Sequence, residues 1–153
     1  MNDTPTIEKT VYGTTALYTL TWSHLRKADR YEIRFSVPSR SGLYELYYMD
    51  DVKRLVLADL AVAWYGGIRN TLRALTDPEI EQDPSRKAFI EQHEYYYRYS
   101  LSDSFADLND VLHFLSARYF PAYEPAPHSN RFESISVNQL SPDKVTDIFI
   151  PGT

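Results

Sequence analysis

The sequence predicts an α+β domain, an antiparallel sheet built from hairpins with three helices packed on it. Three observations lead there. Apolar and polar residues alternate with the period of two that belongs to strands over residues 12–22, 31–37, 43–49 and 95–101. Phe105, Leu108, Leu112, Leu115 and Tyr119 instead recur at helical spacing. Strand patterns come first and helical ones later, and one sheet covered by helices would bury both.

The elements follow in order. Residues 1–9 read as a frayed N-terminus, and 10–153 as a single domain. Over 12–22, Tyr18, Leu20 and Trp22 share one face and Thr19 and Thr21 the other, as in a half-exposed strand. A polar turn over 23–30 leads to 31–37, where Tyr31, Ile33, Phe35 and Val37 alternate with Glu32, Arg34 and Ser36. These two segments are predicted to pair as an antiparallel hairpin. Pro38 ends the second, and Gly42 permits a bend before a strand over 43–49. Asp50-Asp51 marks a turn.

Residues 55–64 are apolar except for Asp59. They read as a buried strand or as a short helix ending at Gly66-Gly67. The strand is preferred, paired with 43–49 and with Val56, Ala58, Leu60, Val62 and Trp64 on one face. A helix over 68–75 stops at Thr76-Asp77-Pro78. Asp83-Pro84 supplies an N-cap and a first-turn proline for a helix over 84–93, with Phe89 and Ile90 inward. A strand over 95–101 precedes the longest helix, 102–119. A Pro-rich loop fills 121–130, and two short strands over 132–140 and 145–150 flank Ser141-Pro142. No repeat or interdomain linker is visible, and 153 residues are enough for one domain with a real core.

Composition narrows the chemistry. The formal net charge is −5, which disfavours nucleic acid, and no basic run exceeds the length of Arg26-Lys27. The absence of cysteine excludes disulfides, thiol nucleophiles and cysteine-ligated metals. The first ten residues lack the apolar core of a signal peptide. No uncharged apolar run approaches the ~18–20 residues of a membrane span. A soluble, cytoplasmic protein that does not engage membranes is the expectation. His24, His93, His113 and His128 are scattered, and no HExxH, P-loop or GxGxxG pattern occurs. Ser104 lacks the glycine-flanked elbow of a serine hydrolase.

Tyrosine is the unusual component, with 13 residues, many at strand spacing such as Tyr44, Tyr47, Tyr48 and Tyr95 to Tyr97. Strand propensity alone accounts for them, since aromatics suit a half-buried pleated surface. The alternative is a recognition surface for a protein partner or for stacked bases. Trp64, Tyr65, Tyr96 and Arg98 are the candidate binding residues on that view.

From Gly42 onward the order strand, strand, helix, strand, helix resembles the GIY-YIG domain over residues 41–120. Gly42-Leu43-Tyr44, Tyr65-Gly66-Gly67, Arg69, Asn70, Leu72 and Arg73, and the Tyr-Tyr-Arg-Tyr strand at 96–99 carry the likeness. In members that cut DNA, the family implies a tyrosine activating water, an arginine on the phosphate and a glutamate on a later helix holding a divalent metal such as magnesium. Carried over, these are Tyr44, Arg69 or Arg73, and Asp107 or Asp110 in the place of the metal ligand. Asp103, Asp107 and Asp110 fall on one helical stripe, and Asp103 and Asp107 also suit the positive end of their helix. Two features depart from the family: Tyr65 stands far along the chain from Tyr44, and the 103–120 helix holds no Glu. The preferred reading is therefore a non-catalytic protein-interaction or structural module without a cofactor. It would bind a protein partner or a second copy of itself. The alternative is a divergent metal-dependent nuclease.

Overall fold

The computed structural model describes residues 4–144 and 148–151. The fold is α+β, with eight strands and four helices among the described residues. The strands are β1 (Ile7–Tyr12), β2 (Thr15–Thr21), β3 (Arg26–Lys27), β4 (Gly42–Met49), β5 (Leu55–Ala63), β6 (Tyr95–Leu101), β7 (Ser134–Leu140) and β8 (Ile148–Phe149). The helices are α1 (Arg30–Ser36), α2 (Gly67–Thr76), α3 (Pro84–Gln92) and α4 (Phe105–Tyr119). They build two mixed sheets, ordered β1-β2-β7 and β3-β6-β4-β5-β8.

β4 is the spine of the larger sheet, antiparallel to both β5 and β6. Its alternation divides the core in two. Tyr44 and Leu46 join Tyr95, Tyr97 and Leu101 of β6 on one face, under Ile33, Val37, Ile68, Leu72 and Ile90 of the α1, α2 and α3 region. Leu43 turns to the other face and meets Leu108, Val111 and Leu115 of α4. The opposite flank of α4 packs on Ala16, Tyr18 and Leu20 of β2, so α4 lies between the two sheets. Its buried leucines, Leu108 and Leu115, each contribute about 1.5–3 kcal/mol by leaving water.

Several expectations need correction. Residues 31–37 form a helix rather than a strand, which makes four helices where three are expected. Asp29 caps α1, its carboxylate accepting from the Tyr31 and Glu32 amides at 3.0 Å each. Successive odd positions on a helix lie about 200° apart. Ile33 and Val37 therefore turn inward and Tyr31 and Phe35 outward, so only half of the alternating apolar positions are buried. The predicted hairpin is absent: β2 pairs antiparallel with β1 and parallel with β7. Both sheets are thus mixed rather than antiparallel. Ile7, Glu8 and Lys9 are not frayed but register against Leu20, Thr19 and Tyr18.

The predicted strand over 55–64 is present opposite β4 as β5, ending at Ala63. A bulge at Ala58, where Leu46 faces Asp59 and Tyr47 faces Leu57, breaks its alternation. Leu60, Val62 and Trp64 share the α4 side as expected, whereas Val56 falls on the other. On α4 the buried stripe is Leu108, Val111 and Leu115, and Phe105 is half exposed. Of the predicted strand over 145–150, residues 145–147 lie outside the described residues.

Gly42 allows β4 and β6 to approach. A Cβ there would run into the Ser100 carbonyl oxygen, a backbone atom that cannot swing away. Gly42→Ala is expected to lower stability by about 1–3 kcal/mol, read as a reduced urea midpoint at constant m-value.

Candidate functional site

A groove of about 730 Å³ lies between the end of β4 and β5 and the helices α2 and α3. Its walls are mainly Leu46, Tyr48, Leu57, Leu75, Phe89 and Tyr95, and its polar groups are Asp59, Ser85 and Arg86. The bulge at Ala58 sets Asp59 on this face, directly opposite Leu46. The rings of Tyr48 and Phe89 meet edge to face at 5.0 Å, and Phe89 stacks on His93 at 4.0 Å, which fixes the aromatic wall.

Asp59 is held from below. The Tyr44 hydroxyl donates to its Oδ2 at 2.6 Å. Burial first, and then the Asp59 carboxylate, push the Tyr44 phenol well above its ordinary range. A phenol so placed stays protonated and orients the carboxylate; it is not poised to take a proton from water. No ion pair involves Asp59 among the described residues. Arg86, at the rim, is half exposed and pairs with Glu81 at 3.3 Å. The outer edge of β5 adjoins the groove. β8 pairs with Leu55 and Val56 and leads to Pro151, which lines the groove; no strand among the described residues pairs with 59–63 on that edge.

Two other polar clusters lie on the α4 side. Glu45 and Arg98 are cross-strand partners in β4 and β6, joined by Nη2–Oε1 at 2.6 Å and Nε–Oε1 at 2.7 Å. The Tyr47 hydroxyl donates to the same oxygen. Arg98 lies 4.4 Å over the Trp22 ring, and Trp22 donates to Gln139 at 2.8 Å. Burial works against the Arg98 charge, but Glu45 outweighs it and holds the guanidinium above its usual range. Glu45 is 0% exposed and Arg98 7%, so this pair braces the core rather than meeting a ligand.

In the second cluster, buried Asp110 accepts from Tyr18 at 2.6 Å, the Ser129 amide at 2.7 Å, the Ser129 hydroxyl at 3.0 Å and Arg131 at 3.0 Å. Asp107 takes Arg131 at 2.7 Å and Lys9 at 3.1 Å. These contacts pin the loop after α4 back onto the helix.

The residues singled out from sequence are thus dispersed. Tyr44 faces α2, whereas Asp107 and Asp110 serve the α4 side of the same sheet. Arg69 spends its Nε on the Val37 carbonyl at 2.7 Å, tying α2 to the end of α1. Arg73 lines a separate recess with Asp29, Arg30 and Asp77. No group of three or more His, Cys, Asp or Glu among the described residues is arranged to hold a metal. Tyr65 is 91% exposed beside Trp64, which packs on Phe105 at 5.2 Å. Tyr96 is half-buried and donates to Glu94 at 3.1 Å, far along β6 from that corner. Most strand tyrosines are core: Tyr18, Tyr44, Tyr47, Tyr95 and Tyr97 are buried.

The groove escaped sequence reasoning because its walls come from five separate elements. Asp59, the sole charge in an apolar run, was its one legible sign. No helix among the described residues is long and apolar enough to cross a membrane. A protein-family model described as "Uncharacterised protein" matches residues 6–150. No curated protein matches the chain, and no solved structure does.

Proposed function

We propose, for a chain that belongs to this family of uncharacterised proteins, a non-catalytic interaction module that binds an extended segment of a partner protein. The segment adds to the outer edge of β5 and drops alternate side chains into the adjoining groove. The observation that carries the reading is the conjunction of an apolar groove of about 730 Å³ with the edge at 59–63, which no strand among the described residues pairs. Backbone groups at an open edge supply affinity, and the groove supplies selectivity. The reading requires no cofactor. It also accounts for the Tyr44–Asp59 contact, which positions a carboxylate without activating it.

Selection of a displayed peptide library on the protein tests this. Binders are expected to lose about tenfold or more in Kd against Ala58→Trp, whose indole fills the groove from the exposed bulge position. A library yielding no binder sensitive to Ala58→Trp counts against the proposal. A second copy pairing through its own β5 is the rival occupant, and light scattering at high concentration is expected to return a monomer. Incubation with linear and branched DNA plus magnesium is expected to leave the DNA intact. Cleavage that disappears in Tyr44→Phe and Arg73→Ala would replace an interaction module with a nuclease.

A further inference from the structure

We infer that the side chain the groove selects is a lysine of the partner segment, its ammonium received by Asp59. The inference rests on the interaction reading above and adds the chemistry of the partner. Asp59 is a carboxylate among apolar walls with no ion-pair partner among the described residues, and its one hydrogen bond comes from the neutral Tyr44 phenol. A partly buried carboxylate beside apolar walls attracts a cation more strongly than one surrounded by water. Arg86 does not fill that role, because its guanidinium is engaged with Glu81 at the rim. With those two cancelling, the groove carries one net negative charge, which excludes acidic side chains and favours a cation.

The walls specify what the cation must be attached to. Tyr48, Phe89 and Tyr95 line the groove with their centroids 5.0–6.4 Å apart. An alkyl stem packs along such rings while the ammonium lies against their faces and reaches the carboxylate. Lysine has that four-carbon stem and a compact, rotatable donor head. Tyr44 holds Oδ2 of Asp59 and so presents the carboxylate in a fixed orientation before the ligand arrives.

NMR titration of the whole protein with acetyl-Thr-Val-Lys-Val-Thr-amide, and with the same peptide carrying norleucine in place of lysine, tests this. Norleucine keeps the stem and deletes the charge. The lysine peptide is expected to bind about tenfold more tightly, with shifts centred on 57–59 and on α3. Asp59→Asn is expected to bring the two peptides to equal affinity. The comparison on the unmodified protein stands even where that variant folds poorly. Equal binding of the two peptides overturns the lysine assignment and leaves the interaction module intact. Tighter binding of the norleucine peptide does the same. Butylamine binding as tightly as the lysine peptide overturns the partner segment in favour of a free amine. Binding of neither peptide overturns both the lysine assignment and the strand-addition reading.

Discussion

Arg98→Met is expected to destabilise the protein by about 3–5 kcal/mol, because it leaves the Glu45 carboxylate buried without its counter-charge. Methionine fills much of the volume of the arginine stem, so lost packing is a minor part of the effect. The guanidinium's contact with Trp22 goes as well, at 4.4 Å. Urea denaturation followed by tryptophan fluorescence reads the change directly, since Trp22 sits on the pair. The double variant Glu45→Leu/Arg98→Met is expected to recover most of the loss, because it removes the stranded charge together with its partner. A double variant no more stable than Arg98→Met would show that the pair is needed for its shape and not for charge balance.

The second large effect centres on Asp110. Its carboxylate accepts four donors from three residues, namely the Tyr18 hydroxyl, the Ser129 amide and hydroxyl, and Arg131. Asp110→Ala is expected to cost about 3 kcal/mol, since it strands a buried phenol and releases the loop before β7. The same site predicts a pH dependence. Burial raises the Asp110 pKa, but Tyr18, Ser129 and Arg131 together outweigh it and hold the carboxylate below the usual range. At Asp107 burial also raises the value, and Arg131 and Lys9 bring it below normal. In each case the unfolded chain binds its proton at higher pH than the folded one. The stabilisation is therefore complete above the ordinary aspartate value of about 3.9 and is lost as pH falls through the depressed native values. Stability measured between neutral pH and pH 2 is expected to fall steeply at the acid end. Asp110→Asn is expected to flatten that fall while lowering stability at neutral pH.

Both effects lie at residues whose roles the sequence does not announce. Glu45 is one polar letter in a strand, and Arg98 is another 53 positions away. Only the antiparallel register of β4 and β6 sets them opposite each other. Asp107 and Asp110 read as metal ligands, and Asp107 also as a charge favoured by the helix dipole. The fold instead brings Arg131 and Lys9 from distant positions to neutralise them. Gly42-Leu43-Tyr44 and the Arg69–Arg73 pair suggested a phosphate site. Tyr44 instead meets a carboxylate and Arg69 a carbonyl, because each side chain goes to the partner its own element faces.

Local patterning determined most of the elements. The alternation at 95–101, the apolar run at 55–64, the Asp83-Pro84 start and the leucine spacing after Ser104 each fix a strand or a helix by interactions within a few residues. It misled at 31–37, where a strand-like period of two belongs to a helix that buries Ile33 and Val37, exposes Tyr31 and Phe35, and is capped by Asp29. What the tertiary structure alone decided is which elements are neighbours. That choice made β2 pair with β1 and β7, gave the sheets their mixed character, paired Glu45 with Arg98, and opened a groove around Asp59. The physical reason is that periodicity records which face of a segment leaves water, whereas the partner of that face depends on packing across the whole chain.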